Sequence, residues 1–187
     1  MLDETAAPAI PSDAIRALVR EEVAKALARE RATRKAAFIA SKGTLDWAYP
    51  PLILSTTAAA SGMETAVFFT FYGLNIIHRD FERKLKIDPV GNPAMPMPVR
   101  VPDLLTAMPG MVPAATAMMK RRFAGHNVAT IAELLDGARE FGVRLIACQM
   151  TMEVFGYEEA DFIDGVEFGG AAAFLSTARQ GHVTLFI

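Results

Sequence analysis

The sequence predicts an α/β fold: about five strands in a mostly parallel, doubly wound sheet with helices on both faces, preceded by an amphipathic N-terminal helix. Three observations lead there. From Lys35 to Ile187, short apolar or β-branched runs alternate with helical segments, and the connections are of helix length, as crossovers between parallel strands require. Residues 63–71 (Met-Glu-Thr-Ala-Val-Phe-Phe-Thr-Phe) form a nearly continuous apolar run, the mark of a strand covered on both faces. Hydrophobic residues make up 52% of the 187-residue chain and charged residues 21%, enough for a sizeable core and for surface that could bury in a second subunit. A homo-oligomer is therefore expected.

Ser12-Asp13 opens a helical stretch that runs to about Arg34, with Ser12 as N-cap and Asp13, Glu21 and Glu22 in its first half. Ile15, Leu18, Val19, Val23, Ala26 and Leu27 fall on one stripe, and Arg16, Arg20, Glu21, Lys25, Arg29 and Glu30 on the other face. Residues 1–34 thus read as a tail and a helix that docks on the domain or on a neighbouring subunit. Residues 35–187 form the α/β domain.

Residues 35–40 are a first strand and Ser41-Lys42-Gly43-Thr44 a turn. The turn is only loosely like a phosphate loop, since neither G-x-x-x-x-G-K-[ST] nor G-x-G-x-x-G is present. Residues 45–61 read as a helix with Pro50 and Pro51 in its first turns, closed by Gly62. After the strand at 63–71, Tyr72-Gly73-Leu74-Asn75 leaves the carboxyl edge, and Ile76-Ile77-His78 starts a short helix there. Residues 86–113 carry Pro89, Pro93, Pro96, Pro98, Pro102, Pro109 and Pro113, so they form a long excursion with one short helix near 103–108. Its methionines suit packing on the core, a subunit contact or, as a minor reading, peripheral contact with a membrane.

Residues 114–123 resume helix, ending in Lys120-Arg121-Arg122. Thr130-Ile131-Ala132-Glu133 has capping-box spacing and starts a helix over 131–141 that Gly142 stops. A strand at 143–147 leads to Cys148. A fourth short strand falls within 162–167, a last helix over 169–179 and a terminal strand over 182–187. A flavodoxin-like strand order is the starting expectation.

Composition excludes several classes. A net charge of -2 without a basic tract removes the footprint of a nucleic-acid binder. The acidic start Met1-Leu2-Asp3-Glu4-Thr5 does not read as a secretory signal, and the charge-free windows 65–77 and 104–119 are too short to span a bilayer. A cytoplasmic protein is expected. One cysteine cannot form an internal disulfide, so any thiol chemistry involves a second molecule. No nucleophile elbow of G-x-S-x-G type is present. The C-x-M-x-M run of Cys148, Met150 and Met152 has soft-metal ligand types, but residues two apart on a helix point in different directions. No metal and no cofactor are expected.

Cys148 is the first candidate for chemistry. If the strand ends there and a helical turn begins at Gln149, the sulfur lies at the carboxyl edge of the sheet, where backbone N–H groups can favour the nucleophilic thiolate. The plain alternative is a small buried hydrophobe. His78 leaves the same edge and is the histidine that the fold could bring to the thiol.

Residues 147–156 (Ala-Cys-Gln-Met-Thr-Met-Glu-Val-Phe-Gly), following the helix over 131–141, resemble the cysteine segment of the DsrE/DsrF-like family of sulfur-relay proteins. Ser41-Lys42-Gly43-Thr44-Leu45-Asp46, Gly62-Met63-Glu64, residues 67–74 and Thr184-Leu185-Phe186-Ile187 match in the same order, so the resemblance covers about residues 35–187. It implies a DsrE-like parallel α/β sheet, assembly into oligomers, and Cys148 as a persulfide carrier that serves TusA-like or rhodanese-like partners. Such a cysteine needs partial exposure, a lowered pKa and no resolving thiol. Backbone N–H groups from Gln149 to Thr151 would hold the anion, while Met150, Met152 and Phe155 would wall the persulfide from water. The long excursion and the N-terminal helix depart from the shorter family members. The competing expectation is an oligomeric binding or assembly module in which Cys148 is only packed. A nucleotide or flavin site near Gly43 and Thr44 is the third.

Overall fold

The computed structural model describes residues 12–87 and 109–187. Most of the Pro/Met-rich excursion, with the expected helix near 103–108, lies outside the described residues, as does the tail before Ser12. Two units are distinguished, Met1–Thr33 and Arg34–Ile187. In the first, α1 (Ser12–Thr33) is a 22-residue helix whose stripe residues Ile15, Leu18, Val19, Val23 and Leu27 are exposed. Lys25 pairs with Glu21 and Glu22 one turn earlier on its polar face.

The second unit is a five-stranded, all-parallel sheet in the order β4-β3-β2-β1-β5, formed by β1 (Lys35–Ala40), β2 (Glu64–Phe69), β3 (Arg144–Cys148), β4 (Val166–Gly169) and β5 (Val183–Phe186). Sequential strands step in one direction from β1 to β4, and the last connection returns across the sheet. Right-handed crossovers then put the helices of the first three connections on one face and the helix of the last on the other. The flavodoxin-like order is thereby corrected, because β1 lies between β2 and β5 rather than between β2 and β3.

Side-chain alternation sorts the core accordingly. Phe38, Val67, Phe69, Leu145 and Ala147 face α2 (Leu45–Ala60), through Leu45, Ala48 and Leu52, and the helix over Ile131–Glu140, through Ile131, Leu135 and Ala138. Ala37, Ala66, Phe68, Ile146 and Cys148 form a smaller cluster with Phe174 of the last helix, Ala171–Ala178. Phe68 and Phe174 stack with ring centroids 5.4 Å apart.

Several boundaries differ from those expected, each for a local reason. Pro50 and Pro51 sit in the second turn of α2, where the helix forgoes two ladder bonds and buries the Pro51 ring. The strand of 63–71 ends at Phe69, and a 3-10 turn (Phe71–Ile76) follows in place of a helix starting at Ile76. A short helix, α3 (Phe81–Lys84), comes only after it. The next described helix, α4 (Met111–Gly125), starts three residues before Ala114, with Pro113 in its first turn and Gly110 at φ +92° before it. The capping box of Thr130 and Glu133 is formed at the head of α5 (Ile131–Glu140), and Gly142 turns the chain at φ +72°. β4 starts at Val166, since Glu159–Asp161 is a capped 3-10 turn and Gly165 turns at φ +83°.

Candidate functional site

Parallel strands end together, so the segments after β1, β2 and β3 share the carboxyl edge of the sheet; Ala40, Phe69 and Ala147 are register partners there. Two glycines let the first two segments interlock. A Cβ on Gly43 would meet the Tyr72 carbonyl oxygen at 2.1 Å, and one on Gly73 would meet the Ala40 carbonyl oxygen at 2.0 Å. Backbone fills both places, and neither can accept a side chain without movement of the turn.

Cys148 ends β3 and stands at the N-cap of α6 (Gln149–Phe155), which Gly156 closes at φ +68°. The residue is 4% exposed, which corrects the partial exposure expected of it. The cause is strand alternation: Ile146 and Cys148 point to the same face, and the thiol packs in the cluster of Ala37, Ala66, Phe68 and Phe174. No first-turn N–H is matched by a side-chain cap bond on Sγ. Polar groups nevertheless bear on it. Burial pushes the thiol pKa up, but the Thr151 hydroxyl and N–H, the Thr70 hydroxyl and the Met150 N–H outweigh it, so the net direction is downward. These are neutral donors.

Thr151 is itself 2% exposed. Its Oγ1 lies 3.2 Å from Thr70 Oγ1 and accepts the Phe71 N–H at 3.3 Å. Phe71 reaches that position with φ +47°, a conformation that bulky residues seldom adopt. Thr70 and Phe71 were missed by sequence reasoning. The available signal was Thr70 as a lone hydroxyl within the apolar run of residues 66–71.

The other expected site residues separate. Gln149 is exposed and Met150 is 62% exposed, while Met152 turns into the larger core under α2 and α5. Phe155 contacts the rings of Tyr72 and Tyr157 at 5.5 and 5.9 Å. The expected wall of Met150, Met152 and Phe155 is therefore not one surface, because residues two apart on a helix diverge. His78 is buried among Tyr157 and Phe162, where its Nδ1 accepts the Asp80 N–H at 2.9 Å and its backbone bridges to Phe162. Burial, with Lys84 nearby, lowers its pKa against the pull of Asp161 and Asp80. It serves the aromatic cluster and is not part of the group around the thiol.

Gly43 and Thr44 hold the edge differently from a phosphate cradle. Gly43 packs on the Tyr72 backbone, Thr44 Oγ1 donates to Asp46 at 2.6 Å, and Lys42 places its ammonium over the Trp47 ring at 3.3 Å. Lys42 and Thr44 are thus engaged locally, while Ser41 Oγ donates to the Ile187 carbonyl at 3.1 Å.

Around the edge, Phe71, Tyr72, Met150 and Val154 are all more than half exposed. Among the described residues, no group of three His, Cys, Asp or Glu could hold a metal ion, and no helix is long and apolar enough to cross a membrane.

The chain is 49% identical over 158 residues to the sulfur carrier protein DsrE2 of Allochromatium vinosum, covering 82% of this chain and 98% of that one. It is 32% identical over 159 residues to the uncharacterized protein YrkE of Bacillus subtilis, covering 83% and 98%. The crystal structure of the ychN protein from E. coli superposes with a TM-score of 0.48 at 12% identity, over 82% of this chain and 99% of that one. Residues 32–186 match the DsrE/DsrF/DrsH-like family, and the chain belongs to it.

Proposed function

We propose that this protein is a sulfur carrier that holds sulfane sulfur as a persulfide on Cys148. The observation that carries the reading is the 49% identity, over nearly the whole of that relative, to a protein named as a sulfur carrier. The neutral donors that lower the pKa of Cys148 support it, since only the thiolate attacks. The thiolate attacks the outer sulfur of a donor persulfide R–S–SH. A new S–S bond forms, the donor's S–S bond breaks, and Cys148–S–SH and the donor thiolate result. An acceptor thiolate then attacks the outer sulfur and Cys148 leaves as thiolate. Both steps are exchanges without net oxidation, and neither needs a cofactor.

Partners of TusA-like or rhodanese-like type, each presenting one thiol, fit this exchange. The reading sets the protein in the cytoplasm, where a lone thiol stays reduced. It also makes the carrier a homo-oligomer, supported by the exposed apolar residues Phe71, Tyr72, Met150 and Val154 at the sheet edge. Peripheral membrane contact through the Pro/Met-rich excursion is the minor part of the proposal.

Whole-protein mass spectrometry after incubation with a persulfide donor tests it. A gain of one sulfur atom that is lost in Cys148→Ser is expected; no gain in the wild type would overturn the reading. The 4% exposure of Cys148 favours a second one, an oligomeric assembly module with a packed, unreactive thiol. Alkylation of the native protein separates the two: a carrier reacts at neutral pH, whereas a packed thiol reacts only after unfolding.

A further inference from the structure

Two cavities adjoin where α3 and α4 come together, and Glu82 and Lys120 line both of them. The inner one, of about 190 Å³, is walled by Tyr49, Phe81, Leu85, Phe123, Val128 and Ile131. Small-molecule sites start at about 300 Å³, whereas a cavity of about 150 Å³ takes a benzene ring, so the inner cavity has room for one side chain. Its walls are already set: Leu85 and Ile131 are buried in the core, and the rings of Tyr49 and Phe123 meet edge to face at 4.8 Å. The Thr130 hydroxyl at its margin is held in the capping box with Glu133.

The outer cavity, of about 620 Å³, is open to solvent, and its charge is one-sided: Arg83, Lys84, Lys86 and Lys120 against Asp80 and Glu82. Residues 110–132 contain Lys120, Arg121 and Arg122 and no Asp or Glu, in a chain whose net charge is -2. Lys84 Nζ donates to the Tyr157 hydroxyl at 2.8 Å and lies over that ring, while Arg83, Lys86 and Lys120 form no ion pair among the described residues. The hydroxyl in this cavity is also taken, since Thr116 Oγ1 accepts the Ile87 N–H at 3.1 Å and donates to the Val112 carbonyl at 2.8 Å. What is left for a visitor is positive charge beside an apolar hole.

We propose that these cavities dock a partner protein through an acidic segment that inserts one aromatic or branched aliphatic side chain into the inner cavity and lays its carboxylates along the outer one. An apolar anchor in a fitted pocket with a charged rim is the usual build of a protein–protein contact, and complementary charge sets the choice of partner. A bilayer surface fits less well, because the outer cavity is concave and its apolar lining is only Pro113 and Ala117. The inference adds the chemistry of a partner to the carrier reading, and docking itself does not use Cys148.

The test is calorimetric titration of the full-length protein with a short thiol-free Gly/Ser peptide that carries one Phe flanked by Glu on both sides. Saturable binding with a Kd below about 1 mM is expected at about 0.1 M salt, and it should weaken strongly at about 1 M. Replacing the Glu residues by Gln, or the Phe by Ser, should each weaken it at least about tenfold, because charge and anchor act together. These controls change only the peptide, so they cannot fail through misfolding of the protein. Lys120→Glu, an exposed position at the rim of both cavities, should lower affinity several-fold. No saturable binding, equal binding of the Gln peptide, or an unaffected Lys120→Glu variant overturns the proposal. So does a wild type that ignores the peptide but binds phosphatidylglycerol vesicles through Lys120, which would make the patch a membrane contact. A protein that never loads sulfur yet binds the peptide loses the carrier reading and keeps this one, and one that loads sulfur without binding the peptide does the opposite.

Discussion

The two faces of the sheet are built to different depths. Under α2 and α5, the core runs from Phe38 and Phe69 in the strands through Leu45, Leu52 and Leu135 in the helices to Leu74, Ile76 and Phe162 beyond the sheet edge, all 2% exposed or less. On the opposite face, the unit Arg34–Ile187 supplies α7 (Ala171–Ala178), a helix of eight residues that lays Phe174 over Phe68, Ile146 and Cys148, while Leu175 on the same helix is 59% exposed. Local opening costs least where few apolar contacts must be broken. A buried thiol under the thin layer can therefore be reached by a fluctuation that leaves the thick layer intact. The difference offers a way to reconcile 4% exposure with the reactive role proposed for Cys148, without moving the strands.

A pair of truncations is the most severe way to break that comparison. Phe69→Ala, in the thick layer, is expected to lower stability by about 4 kcal/mol. Phe174→Ala, in the thin layer, should cost about 2 kcal/mol, because a rim site can collapse or admit solvent. It should also speed native-state alkylation of Cys148 at least several-fold. Urea unfolding and alkylation kinetics on both variants check this. Equal losses of stability, or unchanged alkylation in Phe174→Ala, would mean that the two layers do not differ as described.

A smaller effect concerns the rim of the thick layer. The pKa of His78 is lowered by burial from an ordinary 6.5, with Lys84 adding to it and Asp161 and Asp80 opposing. The unfolded chain therefore takes up a proton more readily than the folded one. The stability that neutral His78 contributes is full above about pH 6.5 and is lost as pH falls through its folded value. A decline of less than about 1 kcal/mol is expected between neutral pH and about pH 5.5, and it should be absent in His78→Gln. Thermal melting across that range is the measurement, and an identical decline in the variant would assign it to other groups.

How far the sequence alone carried can be argued from the same residues. The alternation of strands and helices, the capping box of Thr130 and Glu133, and the junction at Cys148 were legible, because each depends on local periodicity or on a local hydrogen bond. The burial of Cys148 was legible only as the alternative of a small packed hydrophobe, because the face to which it points is fixed only when the neighbouring strands and Phe174 are in place. Thr70 stayed hidden for a related reason: it lies 81 residues from Thr151, and only the register of β2 with β3 brings their hydroxyls together. His78 misled in the other direction. It leaves the expected edge of the sheet, but the 3-10 turn over Phe71–Ile76 carries it to Phe162 and away from the thiol.

The finest test addresses the polar latch of the thin layer. Arg144 shares a face with Ile146 and Cys148; its Nε and Nη2 donate to the two carboxylate oxygens of Glu167 at 2.9 and 2.6 Å, and its Nη1 donates to Thr177 of α7 at 3.1 Å. One guanidinium thus ties β3 to β4 and to the helix that covers the thiol. The side chains of Arg144 and Glu167 are 37% and 47% exposed, so solvent screening limits the pair to under about 1 kcal/mol of global stability. The Arg144 guanidinium holds the Glu167 carboxyl below its ordinary 4.5, so the contribution is full above that pH and is lost as pH falls through the folded value. Glu167→Gln should change the urea midpoint only slightly. If the latch controls the thin layer, the same variant should still raise the native alkylation rate of Cys148 by about two- to threefold, since that rate reads local opening and not the global transition. A rate unchanged from wild type would confine the latch to strand pairing and leave Phe174 as the cover over the sulfur.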